Sequence, residues 1–549
     1  MNFSRFFPII ASLKDYNSRL FRSDLSAGLT VGVMLIPQGM AYAMIAGLPP
    51  IYGLYASVFP LIVYALLGTS RQLAVGPVAM VSLLTATSVA MIAETGTDQY
   101  ILLAVTLAFL VGAIQFLLGV FRLGFLVNFL SHPVISGFTS AAAMIIGFSQ
   151  LKHLLGVPIP RSHHVHEIIF NAFSQIQNIN PYTLGIGIAG IIIIKLLKRI
   201  NKAIPSQLVA VVFGILVVWA FNLVDQGVKI VGDIPSGLPS PSAPLFSMDV
   251  WTSLIGAALA ISLVSFMESF AVAKAIQAKH KNYKLEANQE LIALGMANIV
   301  GSFFKSYPVT GGFSRTAVND QAGAKTTLAT LLSVALIVLT LFFLTPLFYN
   351  LPNSILASVI MVAVFGLIDV KEARHLWHAD KKDFVMLLVS FLATLFLGIE
   401  LGIAMGVALS LAVLIFKTSR PHIAVLGRVP GTKYFRNLDR FDNLETYDGV
   451  LMLRLDSQLY FANIQYFREK LESLVENYQG ALKTIVVNAE SINDIDSSAM
   501  HILEELHKEM NQKQIKMIFA SVIGPVRDTM KRFGLFEKFG EESFYPTMD

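Results

Sequence analysis

Residues 306–318 read SYPVTGGFSRTAV. Pro308 and the pair Gly311-Gly312 interrupt any continuous helix, yet the chain on both sides is dominated by long apolar segments of the kind that span a bilayer. Inside the interruption stands a permanent cation, Arg315, whose cost at membrane depth is about 2.5–3.5 kcal/mol on insertion scales. A charge held at that cost asks for a function. The first half of the chain repeats the plan: LGTSRQLAVGPVAMVSLLTAT, residues 67–87, has an extended LAV followed by Gly76-Pro77 opening an apolar helix. Gly and Pro at corresponding places in two halves point to an inverted repeat whose broken helices meet at mid-membrane. Each half-helix would present free N–H groups and about half a positive charge, and two such ends facing one another form an anion site. Arg315, in the first turn of the second half-helix, adds a full charge and a fork of donors. Two plainer readings stand beside this one. Gly and Pro are frequent in membrane helices, and an arginine near a helix end can snorkel to a headgroup or line a crevice.

Composition sets the class around this stretch. Of 549 residues, 54% are hydrophobic and 14% charged, with a mean hydropathy of +0.64, values that indicate a polytopic membrane protein. Charge is uneven. From Pro421 to Asp549 there are 15 basic and 19 acidic residues, so the tail reads as a separate water-soluble domain of net −4 and the overall +5 arises in the membrane part. With no cysteine, disulfides and thiolate metal sites are excluded. The N-terminal segment has basic residues but no compact apolar stretch with a small-residue cleavage site, so no removable signal is expected.

Lysine and arginine in successive loops set the orientation. Three connections are basic: Lys195, Lys198, Arg199 and Lys202; Lys274, Lys279, Lys281 and Lys284; Lys371, Arg374, Lys381 and Lys382. These are expected on the cytoplasmic side. Segments 94–99 and 350–352 carry no basic residue and 225–250 carries only Lys229, as expected of the outer side. Starting from a basic N-terminus (Arg5, Lys14, Arg19, Arg22), about 14 spans satisfy every loop at ~20 residues per full span and leave the soluble tail inside.

Several blocks resemble one family: PQGMAYAMIAGLPPIYGLYASVFP (37–60), GTSRQLAVGPVA (68–79), RLGFLVNFLSHPVISGF (122–138), SFMESFAVAKAI (265–276) and the opening stretch with GGFSRT. They are similar to the SulP sulfate permeases, which include the animal anion exchangers and the hearing motor protein prestin. The resemblance covers nearly the whole chain. It implies an α-helical polytopic fold of 14 spans in two inverted seven-span repeats, a core domain of spans 1–4 and 8–11 moving against a gate domain of spans 5–7 and 12–14, and a cytoplasmic α/β STAS domain. The expected organisation is a cytoplasmic N-terminus (1–24), membrane repeat 1 (25–224), an extracellular connection (225–250), membrane repeat 2 (251–420) and the STAS domain (421–549). Family members are commonly homodimers. PQGMAYA and SFMESFAVAKA are closer in wording to sulfate/proton carriers of plant and bacterial type than to cyanobacterial bicarbonate carriers.

The resemblance also carries residues. Gln38 and Tyr42, four apart on span 1 and so on one helical face, resemble the polar and aromatic groups lining the family's anion pocket; ordinary interhelical hydrogen bonding is the other reading. Val78, at the start of the first half-helix, stands where some relatives carry an aromatic residue, which bears on pocket size and selectivity. Ser314 and Arg315 match the Ser-Arg pair of the second half-helix. Glu268 lies mid-span, where an ionisable group is functional by default. It is expected to gain and lose a proton in the transport cycle, or else to form a permanent pair with Arg315.

Other features weigh less. The loop Arg161-Ser162-His163-His164-Val165-His166 reads as an exposed polar loop rather than a metal site. Asn288 and Glu290, opening the ninth span, read as a helix cap. No phosphate-cradling GxxxxGK[ST] and no nucleophile elbow occur, so neither an ATP-driven pump nor a hydrolase is supported, and no cofactor, metal or nucleic-acid partner is expected. The tail alternates strands (449–455, 484–490, 515–520) with helices (464–475, 498–510, from 525), a small α/β domain. Its DSSAM segment (496–500) resembles the loop where anti-sigma-factor antagonists carry a phosphorylatable serine. Ser497 and Ser498 are therefore regulatory candidates, with plain helix caps as the alternative. The sequence thus describes a multi-pass carrier of the plasma (inner) membrane with both termini cytoplasmic, partnered by the lipid bilayer and acting most readily as a sulfate–proton symporter. A bicarbonate or dicarboxylate carrier, an anion channel or motor of prestin type, and a receptor signalling through its STAS domain are the alternatives.

Overall fold

In a bilayer, no water satisfies an exposed backbone, so apolar runs of sufficient length form helices. The structure, a computed structural model, describes residues 7–13, 16–125, 131–159, 165–200, 205–280 and 283–549. Residues 161–164 of the histidine-bearing loop, and Arg5, Lys14, Lys202 and Lys281, lie outside the described residues. Among the described residues, six helices are long and apolar enough to cross a membrane: Ser18–Ile45, Asp98–Val120, His132–Leu155, Met248–His280, Leu328–Phe348 and Asn353–Ala379. Shorter apolar helices occur at Ile51–Leu67, Ala79–Ala90, Ser206–Ala220 and Ala404–Ser419. The chain divides into two compact units, Met1–Ser410 and Leu411–Asp549.

Seven helices and two short strands of the first unit position the site or its supports. They are α1 (Ser18–Ile45), β1 (Val75–Gly76), α2 (Ala79–Ala90), α3 (Asp98–Val120), α4 (Met248–His280), α5 (Ala287–Ser302), β2 (Thr310–Gly311), α6 (Phe313–Gln321) and α7 (Leu328–Leu339). α1 packs on α6 and α7, and α3 packs along α5. The α3–α5 approach depends on glycine: a Cβ at Gly112 would lie 2.7 Å from the Gly295 carbonyl oxygen, and one at Gly295 would lie 2.8 Å from that of Gly112. β1 and β2 pair antiparallel in the register Val75↔Gly311 and Gly76↔Thr310. Gly76 has φ +146, a conformation that side chains disfavour, and it turns the chain from β1 towards α2. The interrupted segments anticipated around Gly76-Pro77 and Gly311-Gly312 are these two strands, each followed by a short helix.

The second unit is built on a six-stranded sheet in the order β4-β3-β5-β6-β7-β8. The strands are β3 (Ile423–Arg428), β4 (Phe435–Asn437), β5 (Val450–Leu455), β6 (Thr484–Asn488), β7 (Lys516–Ala520) and β8 (Phe544–Tyr545). β3 is antiparallel to β4 and β5, and β5 through β8 run parallel. The helices Ile464–Glu476, Ser497–Gln512 and Gly524–Arg532 alternate with the parallel strands, as the tail's pattern indicated. Leu453, Val487, Phe519, Phe467, Leu503 and Met510 are among the core they share. β3, β4 and β8 are absent from the sequence reading. β3 follows directly on an apolar helix, and β4 and β8 have three and two residues, too short for an alternating pattern to register.

Candidate anion site

The site is built from two helix starts. α2 begins after Val78 and α6 after Gly312, and neither start has a side-chain cap. Among the described residues, no side chain accepts from the first-turn N–H groups of either half-helix, which also lack partners within their own helix. β1–β2 pairing brings these starts together, and Gly312 N–H donates to the Ala74 carbonyl (3.0 Å) across the same junction.

Arg315 occupies the first turn of α6 and is 2% exposed. Its Nη1 donates to the Pro77 carbonyl oxygen at 2.6 Å, so the guanidinium bridges from the second half-helix to the start of the first. A Cβ at Gly312 would lie 2.9 Å from Nη2; only glycine leaves room for the guanidinium to fold back over its own helix start. Among the described residues, Nε and Nη2 are buried with no hydrogen-bond partner. One edge of the guanidinium is thus spent on the protein and the other is unspent. Snorkelling to a headgroup does not describe this geometry.

Gln38 on α1 is 1% exposed, and among the described residues both ends of its amide are buried without a partner, so interhelical hydrogen bonding does not account for it. Tyr42, one turn on, is buried and lies close enough to Arg315 and Glu268 to interact with their charges. Tyr307 also interacts with the Arg315 charge and shares a hydrogen bond with Ser82 of α2 (3.2 Å). Val78 and Glu268 line one cavity of about 220 Å³ together with Met80, Val264, Met267 and Phe313. Glu268 interacts electrostatically with Arg315, but no ion pair or hydrogen bond joins the two side chains among the described residues. Ser314 is exposed and makes no hydrogen bond among them. The structure therefore gathers Tyr42, Val78, Glu268 and Arg315 around the two helix starts, with Ser314 beside Arg315 but turned outward and Gln38 one turn before Tyr42 on α1.

Sequence reading missed the groups that hold this arrangement. Ser269 Oγ accepts the Gly311 N–H (2.7 Å) and shares a hydrogen bond with Thr310 Oγ1 (2.6 Å). Thr310 Oγ1 also reaches the Ser265 carbonyl (2.7 Å). Asn298 on α5 accepts from Val309 N–H (2.8 Å) and donates to its carbonyl (3.1 Å). The first strand is fixed in turn by the second half-helix: Ala74 N–H donates to Thr316 Oγ1 (3.0 Å) and Asn319 Nδ2 donates to the Gln72 carbonyl (2.9 Å). A signal for part of this existed, since Ser262, Ser265 and Ser269 form a polar stripe at helical spacing on the otherwise apolar α4.

Two buried carboxylates anchor the ends of the broken segments. Glu290, 1% exposed, accepts from Tyr64 Oη (2.7 Å), Thr69 N–H (2.6 Å), Thr69 Oγ1 (2.7 Å) and Ser70 N–H (3.1 Å). It ties the loop entering β1 to α5. Asn288 accepts from Gly124 N–H (2.9 Å), while Glu286, the residue before α5, makes no side-chain cap; neither Asn288 nor Glu290 caps its own helix, because each is engaged by another segment. Asp24 on α1 accepts from Lys325 N–H, Thr326 N–H and Thr326 Oγ1 at 2.6, 3.1 and 2.6 Å, holding the turn between α6 and α7. In the second unit the helix Ser497–Gln512 is capped by Asp496, whose carboxylate accepts from Ala499 N–H (2.8 Å) and Phe461 N–H (2.9 Å). Ser497 and Ser498 are exposed first-turn residues, so the cap reading belongs to the aspartate.

Residues 21–390 match the sulfate permease family and residues 443–549 match the STAS domain. The chain is 41% identical over 559 residues to sulfate transporter 4.1, chloroplastic, of Arabidopsis thaliana, covering 98% of this chain and 81% of that protein. It is 36% identical to high affinity sulfate transporter 2 of Stylosanthes hamata, covering 99% and 85%. In three dimensions it is similar to the murine solute carrier 26 family member A9 anion transporter in the inward-facing state, with a TM-score of 0.91, 28% identity and coverage of 99% and 93%.

Proposed function

Because the chain belongs to the sulfate permease family and carries a STAS domain, an anion transporter and not an enzyme, we propose that it imports sulfate together with protons by alternating access. The observation that carries the reading is the unspent edge of Arg315: two buried donors with no partner among the described residues, set between two uncapped helix starts. A tetrahedral dianion placed there would take the Nε and Nη2 hydrogens as a bidentate pair and the first-turn N–H groups of α2 and α6 as further donors. Gln38 and Tyr42 would supply the neutral donors that fix its orientation. Ser314, exposed beside Arg315, would meet the anion on entry.

Glu268 is the proposed coupling group. It shares a cavity with Val78 at the start of α2 and interacts with the Arg315 charge. A proton on Glu268 and a dianion at Arg315 offset one another, so each raises the other's affinity by the same factor. Movement of a core domain carrying α2 and α6 against the gate domain would then expose the loaded site alternately on the two sides. We propose further that the protein is a homodimer in the plasma (inner) membrane with both termini cytoplasmic, that the soluble domain begins near residue 421, and that Ser497 and Ser498 offer sites where phosphate would sit at a helix N-terminus.

Uptake of labelled sulfate, bicarbonate and dicarboxylates into proteoliposomes tests the reading. Saturable sulfate accumulation that collapses with the proton gradient is expected. Accumulation of bicarbonate driven by sodium, or uncoupled current, would overturn it.

A further inference from the structure

Helix α8 (Val370–Ala379) has no part in the site above. It is the polar, C-terminal part of the span Asn353–Ala379, separated from the apolar helix Asn353–Phe365 by a short turn and followed by the apolar helix Lys381–Leu397, which places it at a membrane–water boundary. Lys371, Arg374, His375 and His378 fall at i, i+3, i+4 and i+7 and so on one face. All four are exposed and line one open groove of about 640 Å³. Among the described residues, the side chains of Lys371, Arg374 and His375 have no ion-pair or hydrogen-bond partner. His378 Nδ1 is paired with the Arg374 carbonyl of its own helix (2.9 Å).

The neighbouring acids do not neutralise this face. Asp369 accepts the Glu372 N–H at the helix start (2.9 Å), and Asp380 accepts the Lys382 N–H that opens the next helix (2.8 Å). Glu372 is directed to His132 (3.3 Å). Leu376 is buried in the protein, whereas Trp377 and Val370 are 54% and 62% exposed and share a face about a quarter-turn round from the basic one. An exposed tryptophan beside a cationic groove at a boundary is the arrangement that suits a bilayer surface, the ring lying at headgroup depth and the cations meeting phosphate.

We propose that α8 is a binding site for the headgroup of an anionic phospholipid, with Lys371 and Arg374 holding the phosphate and Trp377 seated among the acyl-chain roots. Each lysine or arginine near an anionic membrane surface favours binding by roughly fivefold, so loss of both is expected to lower the preference for anionic lipid by roughly 25-fold.

The test uses the full-length chain carrying Trp219→Phe and Trp251→Phe, which leaves Trp377 as its sole tryptophan. It is reconstituted in mixed phosphatidylcholine–phosphatidylglycerol vesicles in which one lipid or the other is brominated. Quenching of Trp377 should be stronger with brominated phosphatidylglycerol, and the excess should vanish in Lys371→Gln/Arg374→Gln and shrink at high salt. Equal quenching by the two lipids overturns the proposal, as does a Trp377 quenched by neither, which would mean that protein covers this face. Should the tryptophan-reduced chain fail to fold, native mass spectrometry of the otherwise unaltered chain gives the same decision. Retained phosphatidylglycerol should fall on Lys371→Gln/Arg374→Gln, and unchanged retention overturns the assignment.

Discussion

Replacing Arg315 separates the two parts of the proposed anion site. In the structure its Nη1 serves the Pro77 carbonyl, while Nε and Nη2 have no partner among the described residues; the latter pair is what a bound oxyanion would engage. A hydrogen bond to a charged group contributes about 1.5–3 kcal/mol. Arg315→Lys keeps a cation but cannot present two parallel donors, so it should lose one such bond and about 10- to 150-fold in sulfate affinity. Arg315→Ala loses both, leaves only the helix ends and the Gln38 and Tyr42 groups, and should weaken binding by at least about two orders of magnitude. Calorimetric titration of sulfate into purified protein measures both, with thermal unfolding run in parallel so that a misfolded variant is recognised. The ordering wild type, lysine, alanine is the expected result. Wild-type affinity in both folded variants would refute the idea that the unspent guanidinium edge holds the anion.

Glu268→Gln should still bind sulfate and exchange it between compartments but no longer concentrate it when an inward proton gradient is imposed on vesicles; persistent gradient-driven accumulation would return Glu268 to a structural role. A chain truncated after Arg420 should retain anion binding, because every proposed ligand precedes Thr316; its complete loss in a well-folded truncated protein would move part of the site into the soluble domain. Glu290→Ala strands the N–H groups of Thr69 and Ser70 and two hydroxyls, and should lower stability by about 3 kcal/mol or more, seen as a fall in unfolding temperature. In the soluble domain, hydrogen bonds from Lys538 and then Lys508 hold the Glu504 carboxyl down to about 2, against roughly 4.3 for a free glutamate. Because its folded-state value is depressed, its contribution is complete above the unfolded value and is lost as pH falls from there through about 2. Between those limits the wild-type domain should lose its urea midpoint more steeply on acidification than Glu504→Gln, and parallel curves would contradict this assignment.

The broken segments were legible because their signals are local. Gly76-Pro77 and Gly311-Gly312 stop helices by backbone chemistry alone, and an arginine between apolar runs stands out against its own cost. The support for the site was not legible in the same way. Glu290 meets Thr69 and Ser70 across more than two hundred positions of sequence, and its buried side chain looks from the sequence like an ordinary first-turn acid. Asp24 and Thr326 pose the same problem. Ser269 is intermediate: its spacing from Ser262 and Ser265 marks a polar stripe, but only β2 reveals what that stripe holds. The soluble unit divides similarly, with the buried parallel strands β5, β6 and β7 readable as apolar runs and the edge strands β4 and β8 too short to announce themselves.

The pattern of unsatisfied groups distinguishes a binding site from mere support. Leaving a buried donor or acceptor unpaired costs about 1–3 kcal/mol, and the membrane unit avoids that cost for its most demanding groups: Glu290, Asp24 and Asn298 are all engaged. Among the described residues, several buried groups without a partner are single hydroxyls, such as Ser136, Thr183, Thr345 and Ser354. The amide and guanidinium atoms left unpaired are Nε and Nη2 of Arg315, both amide atoms of Gln38, and the Oδ1 acceptor of Asn319, whose Nδ2 is taken up by the Gln72 carbonyl. These three lie on α1 and α6, which pack against one another, and Asn319 is one turn beyond Arg315 on the same helical face. Among the described residues, the unpaired donors nearest the two uncapped helix starts are Nε and Nη2 of Arg315, so the positive potential of those starts is concentrated on the guanidinium. On the proposed reading, an oxyanion there would give Nε and Nη2 the partners they lack, and a multi-acceptor oxyanion should bind more readily than a spherical halide, a difference that titrating sulfate against chloride measures.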